Sequence, residues 1–206
     1  MLENIFTRLR RQNSQSLMQA QLHFDEGVRL AADGLYQNAV EKLKLATRAN
    51  PDHAEARVEL GLAYHKMGQF PKAIKAYLSA LEVDPNFVTA YRNLGAAYDE
   101  LGQFVSAFKA YAKAIVLAPH EPELRNDLGV AYFNVGSYAE AIKAFKQALD
   151  IDAQSVRAHY YLGLVYLDLG DIQMAWAEHE QLIGRDEKNL AFHLLDKIQL
   201  QRRQAS

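Results

Sequence analysis

The chain has 206 residues, half of them hydrophobic, and a formal net charge of −2. That length suits one domain with a continuous apolar core, and the near-balanced charge argues against nucleic acid as a partner of the whole molecule. With no cysteine, disulfides, iron–sulfur clusters and thiol nucleophiles are excluded, and no apolar run approaches the roughly 18 residues of a spanning helix.

Residues 1–19 (MLENIFTRLRRQNSQSLMQ) come first. Leu2, Ile5, Phe6 and Leu9 recur at i, i+3, i+4 and i+7, the stripe of a short amphipathic helix, and Arg8, Arg10 and Arg11 make it basic. Gln12 to Ser16 is polar and reads as a flexible joint. The helix serves either as an N-terminal cap or as an interaction helix for a partner or a second copy. At a membrane surface it would hold weakly without a second anchor, so membrane contact is weak or indirect. Arg-bearing and poor in acids, the stretch also fits a cleaved organelle-targeting peptide, but it lacks the apolar core of a signal peptide. The expected location is cytoplasmic.

From residue 20 the sequence repeats. Gly27, Gly61, Gly95, Gly129 and Gly163 recur every 34 residues, the mark of a repeat array. The units are 20–53, 54–87, 88–121, 122–155 and 156–189. With that glycine numbered position 8, the central unit has Tyr91 at 4, Leu94 at 7, Tyr98 at 11, Ala107 at 20, Tyr111 at 24, Ala114 at 27 and Pro119 at 32. Positions 4, 7, 8 and 11 share one helix face, and 20, 24 and 27 share a face of a second. The spacing predicts helices over positions 2–14 and 18–30, broken at Gly102-Gln103-Phe104. Pro119 suits the first turn of the following helix. Glycine at 8 and alanine at 20 let two helices approach closely, while large residues at 7, 11 and 24 fill the space beside them. Residues 190–206 predict a last helix with an apolar stripe of Ala191, Leu194, Leu195 and Ile198, read as a solvating cap or, alternatively, as a dimer contact through Phe192 and Leu195.

These residues resemble the tetratricopeptide repeat family. The central unit matches all eight of its signature positions. The unit before it keeps Leu60, Gly61, Tyr64, Ala73, Tyr77, Ala80 and Pro85, with Arg57 at position 4. The unit after it keeps Leu128, Gly129, Tyr132, Ala141, Phe145 and Ala148, with Arg125 at 4 and Ala153 where proline is usual. The outer units are weaker: His23, Glu26, Leu30 and Leu43 in the first and His179, Leu182 and Glu187 in the last depart from the pattern, as terminal repeats do. The resemblance implies an all-α solenoid of five helix-turn-helix repeats, wound as a right-handed superhelix, whose first helices line a concave groove from positions 2, 5, 6, 9, 12 and 13.

Position 9 is apolar throughout: Val28, Leu62, Ala96, Val130 and Leu164. Over the six groove positions eight acids outweigh three bases, a balance of −5 against −2 for the chain. An apolar floor with an acidic rim asks for a peptide or helix carrying apolar and basic residues; the plainer reading is a solvated surface. Asn93 and Asn126 can donate to and accept from a peptide backbone. The expected groove residues are Val58, Leu62, Arg92, Asn93, Asn126, Asp127, Val130, Tyr160 and Leu164. The carboxylate clamp of chaperone-tail-binding relatives does not fit, because Ala96, Asp127 and Tyr161 occupy slots that need asparagine or a base. Lys42, Lys44, Lys72, Lys75, Lys109, Lys113, Lys143 and Lys146 fall on second helices and read as a solvated face.

Seven histidines raise a metal, but neither HxxxH nor HExxH occurs, and there is no P-loop or GxGxxG. No cofactor, metal or catalytic residue is expected. The sequence reading is a non-catalytic scaffold or adaptor that binds a protein or peptide partner in its groove. The alternative is a self-assembling structural protein, a homo-oligomer in which Leu2, Ile5, Phe6 and Leu9 dock on a neighbouring copy.

Overall fold

In a computed structural model of the chain, the backbone is described for residues 2–184 and 187–205 and the side chains for 14–184 and 187–203. Among the described residues there are eleven helices and no strand. They fall into two compact units, Met1–Gln103 and Phe104–Ser206. The first holds α1 (Leu2–Ala32), α2 (Tyr36–Ala49), α3 (Ala54–Lys66), α4 (Phe70–Val83) and α5 (Val88–Glu100). The second holds α6 (Phe104–Leu117), α7 (Pro122–Asn134), α8 (Tyr138–Ile151), α9 (Val156–Asp168), α10 (Ile172–Ile183) and α11 (Lys188–Ala205).

The inner helices span positions 1–13 and 17–30 of the repeat, within a residue of the predicted bounds. Two expectations are corrected. Gln12 to Ser16 is not a joint: it is helical, and α1 runs unbroken from Leu2 into the first repeat, because nothing in the stretch is a glycine or proline. Ser16 is tied down by donating to Ala49 O at the end of α2 (2.7 Å). Pro119 lies in the turn after α6, and Pro122 takes the first position of α7 instead.

Each first helix ends on a glycine at position 15. Gly68 shows why: at φ 69° it lets its own N–H reach His65 O (2.9 Å) and the next N–H reach Tyr64 O (2.9 Å), the paired bonds of a Schellman turn. In the first, second and fourth hairpins the glycine at position 8 sits under the large residue at 24. A Cβ on Gly27 would lie 2.7 Å from Leu43 Cγ, and one on Gly129 2.6 Å from Phe145 Cε1. The fifth repeat differs. His179 stands at position 24, and a Cβ on Gly163 would instead meet Leu194 of α11 at 2.5 Å. In the second unit Phe145, Leu162, Leu182, Leu194 and Ile198 form one buried cluster, so α11 belongs to its core. In the first, Leu43, Val40 and Ala39 pack with Ala63 of the following repeat.

Polar residues at position 4 hold the junctions between repeats. Arg57 donates to Pro51 O, Arg125 to Pro119 O (2.6 Å), and His159 Nε2 lies 3.3 Å from Ala153 O; all three acceptors are at position 32 of the preceding repeat. His159 Nδ1 also lies 2.6 Å from a Glu178 carboxylate oxygen, which binds α9 to α10.

Two substitutions measure this packing. Gly129→Ala adds about 1 kcal/mol of helix propensity but drives a methyl into the Phe145 ring, an overpacking cost of roughly 1–3 kcal/mol; thermal unfolding should show a net loss. The Tyr77 hydroxyl is buried without a hydrogen-bond partner, so Tyr77→Phe should raise the melting temperature, by a gain on the order of 1 kcal/mol. A fall would mean the hydroxyl is satisfied.

Candidate functional site

Successive first helices touch within each unit, α1 with α3, α3 with α5, α7 with α9 and α9 with α11, whereas within a unit no second helix touches another among the described residues. Each unit therefore bends toward its first helices, whose outer sides form an inner face. The two faces are described separately.

In the first unit Leu62 is half-buried and exposes part of its side chain on this face, with Asn93 and Arg92 also half-buried. Val58, expected on the surface, is 2% exposed and lies in the core beneath it. Glu55 and Asp25 are exposed and Glu59 is half-buried. Burial, and then the nearby Glu55 charge, push the Glu59 carboxyl above the usual glutamate range. Among the described residues Glu59 makes no hydrogen bond or ion pair. Burial pulls the His65 imidazole down, and the Glu100 carboxylate opposes that. Leu2, Ile5, Phe6 and Leu9, expected as an interaction stripe, have side chains outside the described residues.

In the second unit Val130, Tyr160 and Leu164 are half-buried on the inner face. Asn126 is not available to a peptide. It is 2% exposed, and its amide donates to Ser155 Oγ (3.0 Å), the hydroxyl that also caps α9 by accepting from Ala158 N. The Asn126 side chain faces the start of the next repeat rather than the groove. Asp127 is paired with Arg157, whose guanidinium lies over the Tyr161 ring, so the expected acidic rim is neutralised at this point. The Tyr160 hydroxyl and His193 Nδ1 are 2.7 Å apart, and Gln201 of α11 donates to Leu167 O (2.8 Å). Between α7, α9 and α11 lies a cavity of about 500 Å³ lined by Phe133, Leu164, Leu167, Asp168, Lys197 and Leu200, among others. Lys197 and Leu200 were missed as lining because α11 reads as a cap or a dimer contact; the spacing of His193, Lys197 and Leu200 at i, i+4 and i+7, which puts them on one helix face, was the available signal.

The fold and these faces define a helical-repeat protein with an inner surface built from first helices. Family profiles described as TPR repeat match residues 61–102 and 132–170, and two described as tetratricopeptide repeat match 88–121 and 24–66. The chain belongs to the tetratricopeptide repeat family. No curated protein matches it. Among solved structures it is similar to a crystal structure of MamA, with 25% identity and a TM-score of 0.70 over 79% of this chain and 95% of that one. A thermophilic TPR protein of Thermus thermophilus has 23% identity and a TM-score of 0.69, over 87% of this chain and 98% of that one. YrrB, a TPR protein with an unusual peptide-binding site, has 19% identity and a TM-score of 0.66, over 84% and 90%. The last two likenesses are of fold. No helix among the described residues is long and apolar enough to cross a membrane.

Because its folded-state value is raised, Glu59 favours folding below the unfolded pKa and loses that contribution as pH rises through the folded one. Glu59→Gln should therefore raise the melting temperature at neutral pH, with the gain vanishing near pH 4, roughly the ordinary glutamate value. A gain that persists unchanged at low pH would place the cause elsewhere.

Proposed function

We propose that the chain is a non-catalytic scaffold whose first unit binds a peptide or helix carrying apolar anchors and a lysine or arginine. The observation that carries this reading is Glu59. A half-buried carboxylate with a second acid nearby and no cation beside it costs folding stability, and strained carboxylates of this kind cluster at functional sites. A partner's cation would offset that cost. Leu62 supplies apolar contact one turn away, and Asn93 and Arg92 lie on the following first helix. The expected groove residues Val130, Tyr160 and Leu164 extend the same role to the second unit as an apolar-aromatic surface on which Asp127 is already paired with Arg157. Membership in a family built for protein contacts supports the reading, as does the peptide-binding site of the similarly folded YrrB.

Fluorescence polarisation with labelled amphipathic peptides tests it, using paired versions in which leucine anchors are kept and lysines are exchanged for glutamine. The lysine versions should bind, and Glu55→Gln with Glu59→Gln should weaken them about tenfold, close to 1.4 kcal/mol. Affinity should fall as the solution is acidified, starting above the pH at which an ordinary glutamate titrates. Equal binding of lysine and glutamine versions would sink the proposal.

A further inference from the structure

Both ends of the repeat series carry packing positions that the inner repeats bury. Position 3 faces the preceding repeat, where α3 packs on α2, α5 on α4, α7 on α6 and α9 on α8. Ala56, Ala90, Leu124 and Ala158 hold it, each at 0% exposure. In the first repeat the residue is Leu22, 64% exposed, one turn from Met18 at 70%. Position 10, a heptad further on, is alanine or valine and buried in the later repeats but is the exposed Arg29 in α1. Leu22, Asp25, Glu26 and Arg29 line a cavity of about 310 Å³ on this side.

The last repeat mirrors the pattern. At position 28 Thr47, Leu81, Ile115 and Leu149 are half-buried, whereas Ile183 is 57% exposed. α11 covers α10 only in part and leaves an apolar cleft of about 220 Å³ between them, lined by His179, Ile183, Lys188, Ala191, Phe192 and Leu195; Phe192 is 62% exposed. Asp25 and Arg29 line the α1 cavity and Lys188 the α10–α11 cleft, and Glu26 is paired with Lys42.

We infer that copies of the chain associate head to tail, with Met18 and Leu22 of one copy seated in the α10–α11 cleft of the next. The two surfaces are the halves of a repeat-on-repeat contact, each left without its counterpart, and they differ in shape. The contact is thus heterologous, and a copy with one face blocked can still use the other. This inference is independent of the inner faces and of any peptide they hold.

The test is sedimentation velocity on the full chain from micromolar to millimolar concentration, with Leu22→Glu and Phe192→Glu as separate variants. Both residues are exposed, and circular dichroism confirms that each variant folds. The wild type should gain mass beyond a dimer as concentration rises. Each variant alone should be monomeric, and an equimolar mixture should give a one-to-one dimer and nothing larger. A wild type that stays monomeric overturns the inference. So does a variant that still dimerises with itself, which would mean a symmetric contact, or a mixture that fails to pair. Loss of assembly on removing residues 1–12, with Leu22→Glu without effect, overturns it by assigning the joint to the N-terminal stripe.

Discussion

Close approach of two helices at one glycine governs this fold. With hydrogen at position 8, the large side chain at position 24 lies directly against the backbone of the first helix, as Phe145 does on Gly129 and Leu43 on Gly27. Interiors at crystal-like density leave no slack for a further methyl. Every other regularity serves to keep that spacing: alanine at 20 and 27, the glycine turn at position 15, and the half-burial of position 9. Repeats built alike stack alike, so stability accumulates through nearest-neighbour contacts.

The repeat was legible because its carriers are local. Glycines at fixed spacing and a 3-1-3 apolar rhythm need no knowledge of what lies across the space between helices. What was not legible depended on non-local neighbours. Arg57, Arg125 and His159 looked like weak matches at position 4, yet each satisfies a junction carbonyl at position 32. Asp84 and Asp152 turn the chain by accepting from the N–H two residues on, a recurrence at position 31 that passed unnoticed beside the more familiar proline. Val58 and Asn126 share position 5, and spacing put them on the groove; in the structure these two side chains are buried, whereas Arg92 and Tyr160 at the same position are half-buried.

Charge on the inner faces is not spread as a simple count suggests. In the second unit Arg157 neutralises Asp127, and α11 brings Lys197 to the cavity beside Asp168. In the first unit Glu55 and Glu59 sit one turn apart, and the latter is partly desolvated. Under the proposed function the two faces would take different partner chemistry, cationic for the first and apolar or aromatic for the second. A count over both had blended them into one acidic rim.

The fifth glycine has a different consequence. Gly163 is filled from α11, not from its own second helix, where His179 holds position 24. During synthesis the earlier hairpins of this chain can close as soon as their own two helices have left the ribosome. The fifth cannot: its first helix waits with an open notch over Gly163 until Leu194 emerges, some 31 residues later. The core of the final repeat is therefore completed only with α11, and unfolding of α11 should weaken that repeat with it.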